Sequence, residues 1–231
     1  MPTRRSIALV LAIGTSLVLV SSAQAARGTC GHSDYSYAGL QGVRKSHGVR
    51  ATLTPLANPH VVAGHVAAWV GVGWAGGGPR GQDEWMQVGM AAEHGYAAAR
   101  LYYEIVRPGA PYTYAELGDV APGESHRLAV LEMENHPRWW RVWVDGTPVT
   151  EPVYLPKSHG AWEPVATAES WNGGVGACNE LSFSFQRVDW ARRAGGWWHR
   201  LTGSYRFADP GYRVVRRASA TFLALSRVLA A

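Results

Sequence analysis

The sequence predicts an all-β protein, an antiparallel sandwich or barrel built as one domain. Three observations carry this. Short apolar runs alternate with a period of two, as in LSFSFQRVDW at residues 181–190. Gly-rich or polar punctuation separates the runs, as in Gly76-Gly77-Gly78-Pro79 and Asn172-Gly173-Gly174. Helical periodicity is nearly absent after the first 25 residues. Many short strands with turns between them make two packed sheets or a closed barrel.

Taken in order, residues 35–44 and 48–55 alternate as half-buried strands do. Residues 61–74 are nearly all apolar, as in a central strand covered on both faces. Residues 84–90 and 98–106 follow as strands. Residues 126–134 and 138–145 form a hairpin across Asn135-His136-Pro137, and Asp145-Gly146 is a strong turn signal. Strands are expected at 149–155, 162–171 and 181–190, then at 205–207, 212–215 and 221–225. Residues 218–231 suit a short helix or a strand equally. There is no internal repeat, heptad or low-complexity linker.

The first residues read as an export signal. Arg4 and Arg5 precede an apolar run over 7–20, and Ala23-Gln24-Ala25 is a small-x-small cleavage site. Cleavage there divides the chain into a signal at 1–25 and a single β domain at 26–231. The apolar run is short for a membrane span, which needs about 20 residues. A secreted, extracellular protein is expected, with no membrane insertion after cleavage. Cys30 and Cys178 are the two cysteines, and in an oxidising compartment one disulfide between them is the natural reading. The chain carries 22 basic and 17 acidic residues. The excess is uneven: from Arg187 onward nine arginines meet only Asp189 and Asp209. Those arginines alternate with Trp197, Trp198, Tyr205, Phe207 and Tyr212, the pattern of outer strand faces rather than a basic tail. No nucleic-acid motif is present, so no nucleic-acid partner is expected.

Several motifs are excluded. Gly71-x-Gly73-x-x-Gly76 lacks the helix that a dinucleotide fingerprint requires. His60 and His65 are too far apart for a one-turn zinc pair, and HExxH and CxxC are missing, so no metal is expected. Without a GxSxG elbow, a serine hydrolase has little support. Glu132 and Glu134 share a strand face as glycosidase carboxylates do, although a solvated strand edge beside Asn135 explains them more simply. Two polar groups stand out. Gln87 is an amide among Trp85, Met86, Val88 and Met90, costly unless satisfied or used. Glu169, in ATAESW, is a carboxylate among alanines and Trp171, and poor solvation would raise its pKa into a range usable for acid/base work. Trp139 and Trp143 flank Arg141 on one face, which suits a substrate groove and an ordinary amphipathic strand alike.

The succession WVGVG, EWMQVGM, LYYEIVRP, VAPGESHRLAVLEM, WWRVWVDG, ATAESW and LSFSF, within residues 35–190, resembles the glutamic peptidase (eqolisin) family. The resemblance implies a secreted two-sheet β-sandwich, a concanavalin-like jelly roll, with neither metal nor organic cofactor. It implies that Gln87 matches the catalytic Gln and that Glu169, or failing that Glu163, matches the catalytic Glu. Tyr103 and Glu104 match a Tyr-Glu pair of the family's third strand. The implied chemistry is acid endopeptidase action, with Glu169 activating a water and Gln87 donating to the oxyanion. Trp85, Tyr103, Glu104, Trp139, Trp143 and Trp171 are then the expected substrate contacts of a monomer acting on polypeptide. The alternative is a noncatalytic lectin-like or cell-envelope module that binds peptide or extracellular glycan on the same scaffold.

Overall fold

The computed structural model describes residues 35–175 and 178–226. The signal at 1–25 and Cys30 lie outside them, so export and the Cys30–Cys178 bond stay expectations. The strands run β1 (Tyr35–Gly42), β2 (Gly48–Pro55), β3 (His65–Trp74), β4 (Glu84–Glu93), β5 (Ala99–Val106), β6 (Thr113–Val120), β7 (His126–Glu132) and β8 (Trp139–Val144). They continue with β9 (Thr147–Pro148), β10 (Val153–Tyr154), β11 (Val165–Trp171), β12 (Ser182–Arg193), β13 (Gly196–Arg200), β14 (Ser204–Ala208), β15 (Tyr212–Ala218) and β16 (Thr221–Ser226).

Two antiparallel sheets result. The first has the order β14-β1-β11-β3-β4-β5-β6; the second has the order β10-β8-β7-β2-β12-β16-β15, with β13 on β12 and β9 on β8. Neighbours remote in sequence, such as β1 and β11, close the Greek-key arrangement of a jelly roll. Of the two options at the C-terminus, the strand is realised as β16; residues 227–231 lie outside the described part.

The core follows from the period of two. Val66, Ala68, Val70 and Val72 of β3, with Met86, Val88 and Met90 of β4, turn inward from the first sheet. Val49, Ala51 and Leu53 of β2, Leu128 and Val130 of β7, and Phe183 and Phe185 of β12 meet them from the second. Phe185 and Phe222 stack with ring centroids 4.5 Å apart. β3 is central, between β11 and β4, as its apolar run predicts. The hairpin turn is also as expected: Asp145 (φ 51°) and Gly146 (φ 86°) both adopt the left-handed backbone that a tight hairpin needs.

Three departures have physical causes. β3 begins at His65 rather than residue 61, because the Val62 and Ala63 N–H groups donate to Asn179 Oδ1 at 2.8 and 3.2 Å instead of to a strand. β6 carries no apolar alternation; it is an edge strand, mostly exposed and irregular at Gly118. Glu132 is not on a solvated edge. It is fully buried, while Glu134 is exposed.

Candidate functional site

The inward parity of β3 and β4 dictates what faces outward. On the first sheet's outer face stand His65, Ala67, Trp69 and Gly71 of β3, and Trp85, Gln87 and Gly89 of β4. Tyr102 and Glu104 of β5, Tyr37 of β1, and Thr167, Glu169 and Trp171 of β11 share that face, as the cross-strand register shows. Gly39, Gly71 and Gly89 are outward positions as well. A Cβ on them would fall 2.4, 2.8 and 2.2 Å from the neighbouring strand's atoms. A side chain would not fit at these positions, and glycine permits the close strand approach. The bare glycine positions between bulky aromatics leave a groove whose floor includes the small cluster Ala67, Ala91 and Tyr102, with Trp69 packed on it.

Two polar centres lie in the groove. In the first, Gln87 Nε2 donates to the Tyr102 hydroxyl at 3.1 Å and to Glu104 Oε2 at 3.2 Å. Trp85 Nε1 donates to Glu104 Oε1 at 2.8 Å. Burial pushes the Glu104 carboxyl above its ordinary range; the Trp85 indole opposes this, and the negative Glu169 adds to it. In the second centre, Glu169 Oε1 lies 3.0 Å from His65 Nε2, and Oε2 accepts from Trp69 Nε1 at 3.0 Å. Burial first, then the charge of Glu169, pushes the Tyr37 phenol well above its usual value. Trp171 packs 5.6 Å from His65 and 6.3 Å from Tyr35, forming an aromatic wall at this end.

The register decides how the two centres relate. Gln87 stands opposite Gly71, and the β11 residue aligned with Gly71 is Val165. Glu169 is four residues further along, opposite Ala67. Two strand spacings and four residues put the Gln87 and Glu169 backbones roughly 10 Å apart across the sheet and roughly 13 Å apart along it. The two centres act on one another: on top of burial, the charge of Glu169 raises the Glu104 carboxyl and the Tyr102 phenol, the two hydrogen-bond partners of Gln87. Glu163 precedes β11 and pairs with Lys45 at 2.7 Å.

Of the other expected contacts, Trp85, Glu104 and Trp171 line the groove. Tyr103 does not: one residue out of phase with Glu104, it packs against the core. Trp139 and Trp143 alternate with buried Trp140 and Val142 on β8 and so face outward from the second sheet, on the far side of the molecule. Three groove residues were not singled out from sequence as site residues: His65, Trp69 and Tyr102. Strand parity, once anchored on Val66 and Val70, reveals the first two. Asn179 was also missed. Its buried amide nitrogen shares two hydrogens among Ala63 O, His65 O, Ser170 Oγ and Trp171 O, all within 3.3 Å, tying the start of β3 to the end of β11. No sequence signal marks it.

No family profile and no curated protein sequence matches the chain. Solved structures do. Scytalido-glutamic peptidase with a peptide-based transition state analog aligns at a TM-score of 0.57 and 13% identity, over 83% of this chain and 98% of that one. The fold is that of the glutamic peptidases. SCP-B, a member of the eqolisin family of peptidases in complex with the tripeptide Ala-Ile-His, aligns at 0.53 and 14% identity, over 83% of this chain and 97% of that one. A likeness to the glutamic peptidases at this identity speaks for the shared sandwich alone.

Proposed function

We propose that the protein is a secreted, monomeric binder of extended polypeptide that uses the glutamic-peptidase scaffold without the Glu/Gln water-activating pair. The observation that carries this is that both groups are already engaged by their neighbours, Gln87 with Tyr102 and Glu104, and Glu169 with His65 and Trp69. Gln87 itself supports the reading. Both hydrogens of its amide are committed to Tyr102 and Glu104, which leaves its carbonyl to accept from a ligand. A sheet face with an aromatic wall and two polar centres suits a strand of peptide, whose backbone groups recur every 3.3 Å or so. The structurally similar peptidases hold a peptide-based analog and a tripeptide. Export through the 1–25 signal and a Cys30–Cys178 bond belong to the same proposal.

A second reading rests on one specific observation. Glu104, its carboxyl raised by burial, lies 3.2 Å from Gln87 and is the acid/base candidate of a hydrolase built on that pair.

One set of measurements separates the two. Expected is saturable binding of an unfolded casein fragment, weakened at least tenfold by Trp69→Ala, with no cleavage of casein between about pH 3 and 5, where carboxyl groups titrate. Cleavage that Gln87→Ala and Glu104→Gln abolish, but Glu169→Gln spares, would establish the hydrolase of the second reading. Cleavage abolished equally by Glu169→Gln would restore the Gln87–Glu169 pair. Absence of both binding and cleavage would sink the groove as a peptide site.

A further inference from the structure

Away from the groove, three residues remote in sequence converge at one end of the second sheet. His47 precedes β2, Glu132 ends β7, and His159 lies in the connection from β10 to β11. His47 Nδ1 is 2.5 Å from Glu132 Oε2, and His159 Nδ1 is 2.8 Å from Glu132 Oε1. The donor atoms of all three lie within 4.8 Å of one another. We propose that His47, Glu132 and His159 form a binding site for a zinc-type divalent cation.

The donor set fits. Two imidazoles and one carboxylate are a common zinc triad, and the fourth position belongs to water or a ligand. Bonds of about 2.0–2.1 Å space tetrahedral donor atoms by roughly 3.3 Å; the two imidazoles now sit in hydrogen-bond contact with the carboxylate at 2.5 and 2.8 Å, so an ion would replace the shared protons and part them by less than about 1 Å. The burial is graded as such a site needs: the Glu132 side chain is fully enclosed, that of His47 is 19% exposed and that of His159 is 48% exposed. One side of the cluster is therefore open to solvent, where an ion could enter and a fourth ligand could sit.

The backbone around the cluster is shaped to hold it. Glu132 N donates to His47 O at 2.8 Å, fixing the first two ligands across the β2–β7 ladder. Arg138 N donates to Glu132 Oε1 at 2.5 Å, so the β7–β8 connection curls over the carboxylate. Asn135 (φ 60°) and Arg138 (φ 70°), both non-glycine, take left-handed backbone to do so, and strain of this kind collects at functional sites. Gly160 (φ 55°) brings His159 against His47; a Cβ there would lie 3.3 Å from the His47 ring. A carboxylate enclosed between two imidazoles carries a desolvation cost that a cation offsets.

The site escaped sequence inspection because its ligands come from three segments, with no short His-x-His or Cys-x-Cys spacing to mark it.

The test is calorimetric titration of the full chain, freed of metal by chelation, with Zn²⁺ and separately with Co²⁺. Expected is one ion per chain, with a rise in melting temperature on saturation and tetrahedral d–d absorption for Co²⁺. His159→Asn, at a half-exposed position that tolerates change, should remove binding and the melting shift together. His126→Asn should change neither; His126 bonds Asp145 and Glu124 in a separate exposed cluster. Failure of Zn²⁺ and Co²⁺ to bind, or binding that survives both His159→Asn and His47→Asn, would overturn the proposal and leave a cluster joined only by shared protons.

Discussion

Glu104 is a partly buried carboxyl whose neighbours Trp85, Gln87 and Tyr112 donate to it without neutralising it. Burial is the leading cause of its shift, and the direction is upward from 4.5. A carboxyl with a folded pKa above its unfolded value favours the folded state while it is protonated. That contribution is complete below about pH 4.5 and is lost as pH rises through the folded value. Glu104→Gln removes the titration. The variant loses a hydrogen bond at every pH, so its offset from wild type is not the measure. The slope is: between pH 4 and 7 the variant should gain on wild type, by about 1.4 kcal/mol for each unit of upward shift. Urea unfolding at several pH values reads this out, and a difference independent of pH would contradict the assignment.

At the scale of elements, the first sheet's shape depends on how β3 and β11 are held at one end. Asn179 serves both: it accepts from Val62 and Ala63 and donates to Ala63, Ser170 and Trp171. Asn179→Ala would leave several part-buried backbone groups and the buried Ser170 hydroxyl without this partner, each costing up to about 1–3 kcal/mol before water reaches it. A net loss of about 3 kcal/mol is expected in denaturant unfolding, with His65 and Trp171 displaced and peptide binding weakened beyond the stability effect. Most elements could be read from the chain, because their inward residues are apolar and their outward ones are not. β6 could not. As an exposed edge it buries only its last residue and shows no alternation. β13 was missed too, because its Trp197 and Trp198 face solvent and cations rather than core: Arg193 lies 4.1 Å from the Trp197 ring and Arg50 4.4 Å from that of Trp198.

For the molecule as a whole, stability rests on two inner faces closing on one another. Phe185 is fully buried among them and stacked on Phe222. Phe185→Ala should cost about 3–5 kcal/mol, because the cavity left between two sheets cannot collapse; thermal unfolding measures it. The two-layer architecture was legible in the sequence because that closure is written in period-two apolar residues. The relation between Gln87 and Glu169 was not. Each strand reveals which face its own side chains take, but the offset between strands is set by loops and by bonds such as those of Asn179. A local motif carries no record of that offset, which sets Glu169 opposite Ala67 and Gln87 opposite Gly71.

Trp69 and Trp85 each give their indole N–H to a different groove carboxyl, Glu169 and Glu104 respectively. Indole protons resonate apart from the amide envelope in a ¹⁵N-correlated spectrum. The protein thus carries two built-in probes, one per acid, and a titration with peptide or proton can be followed at each without any label beyond the isotope.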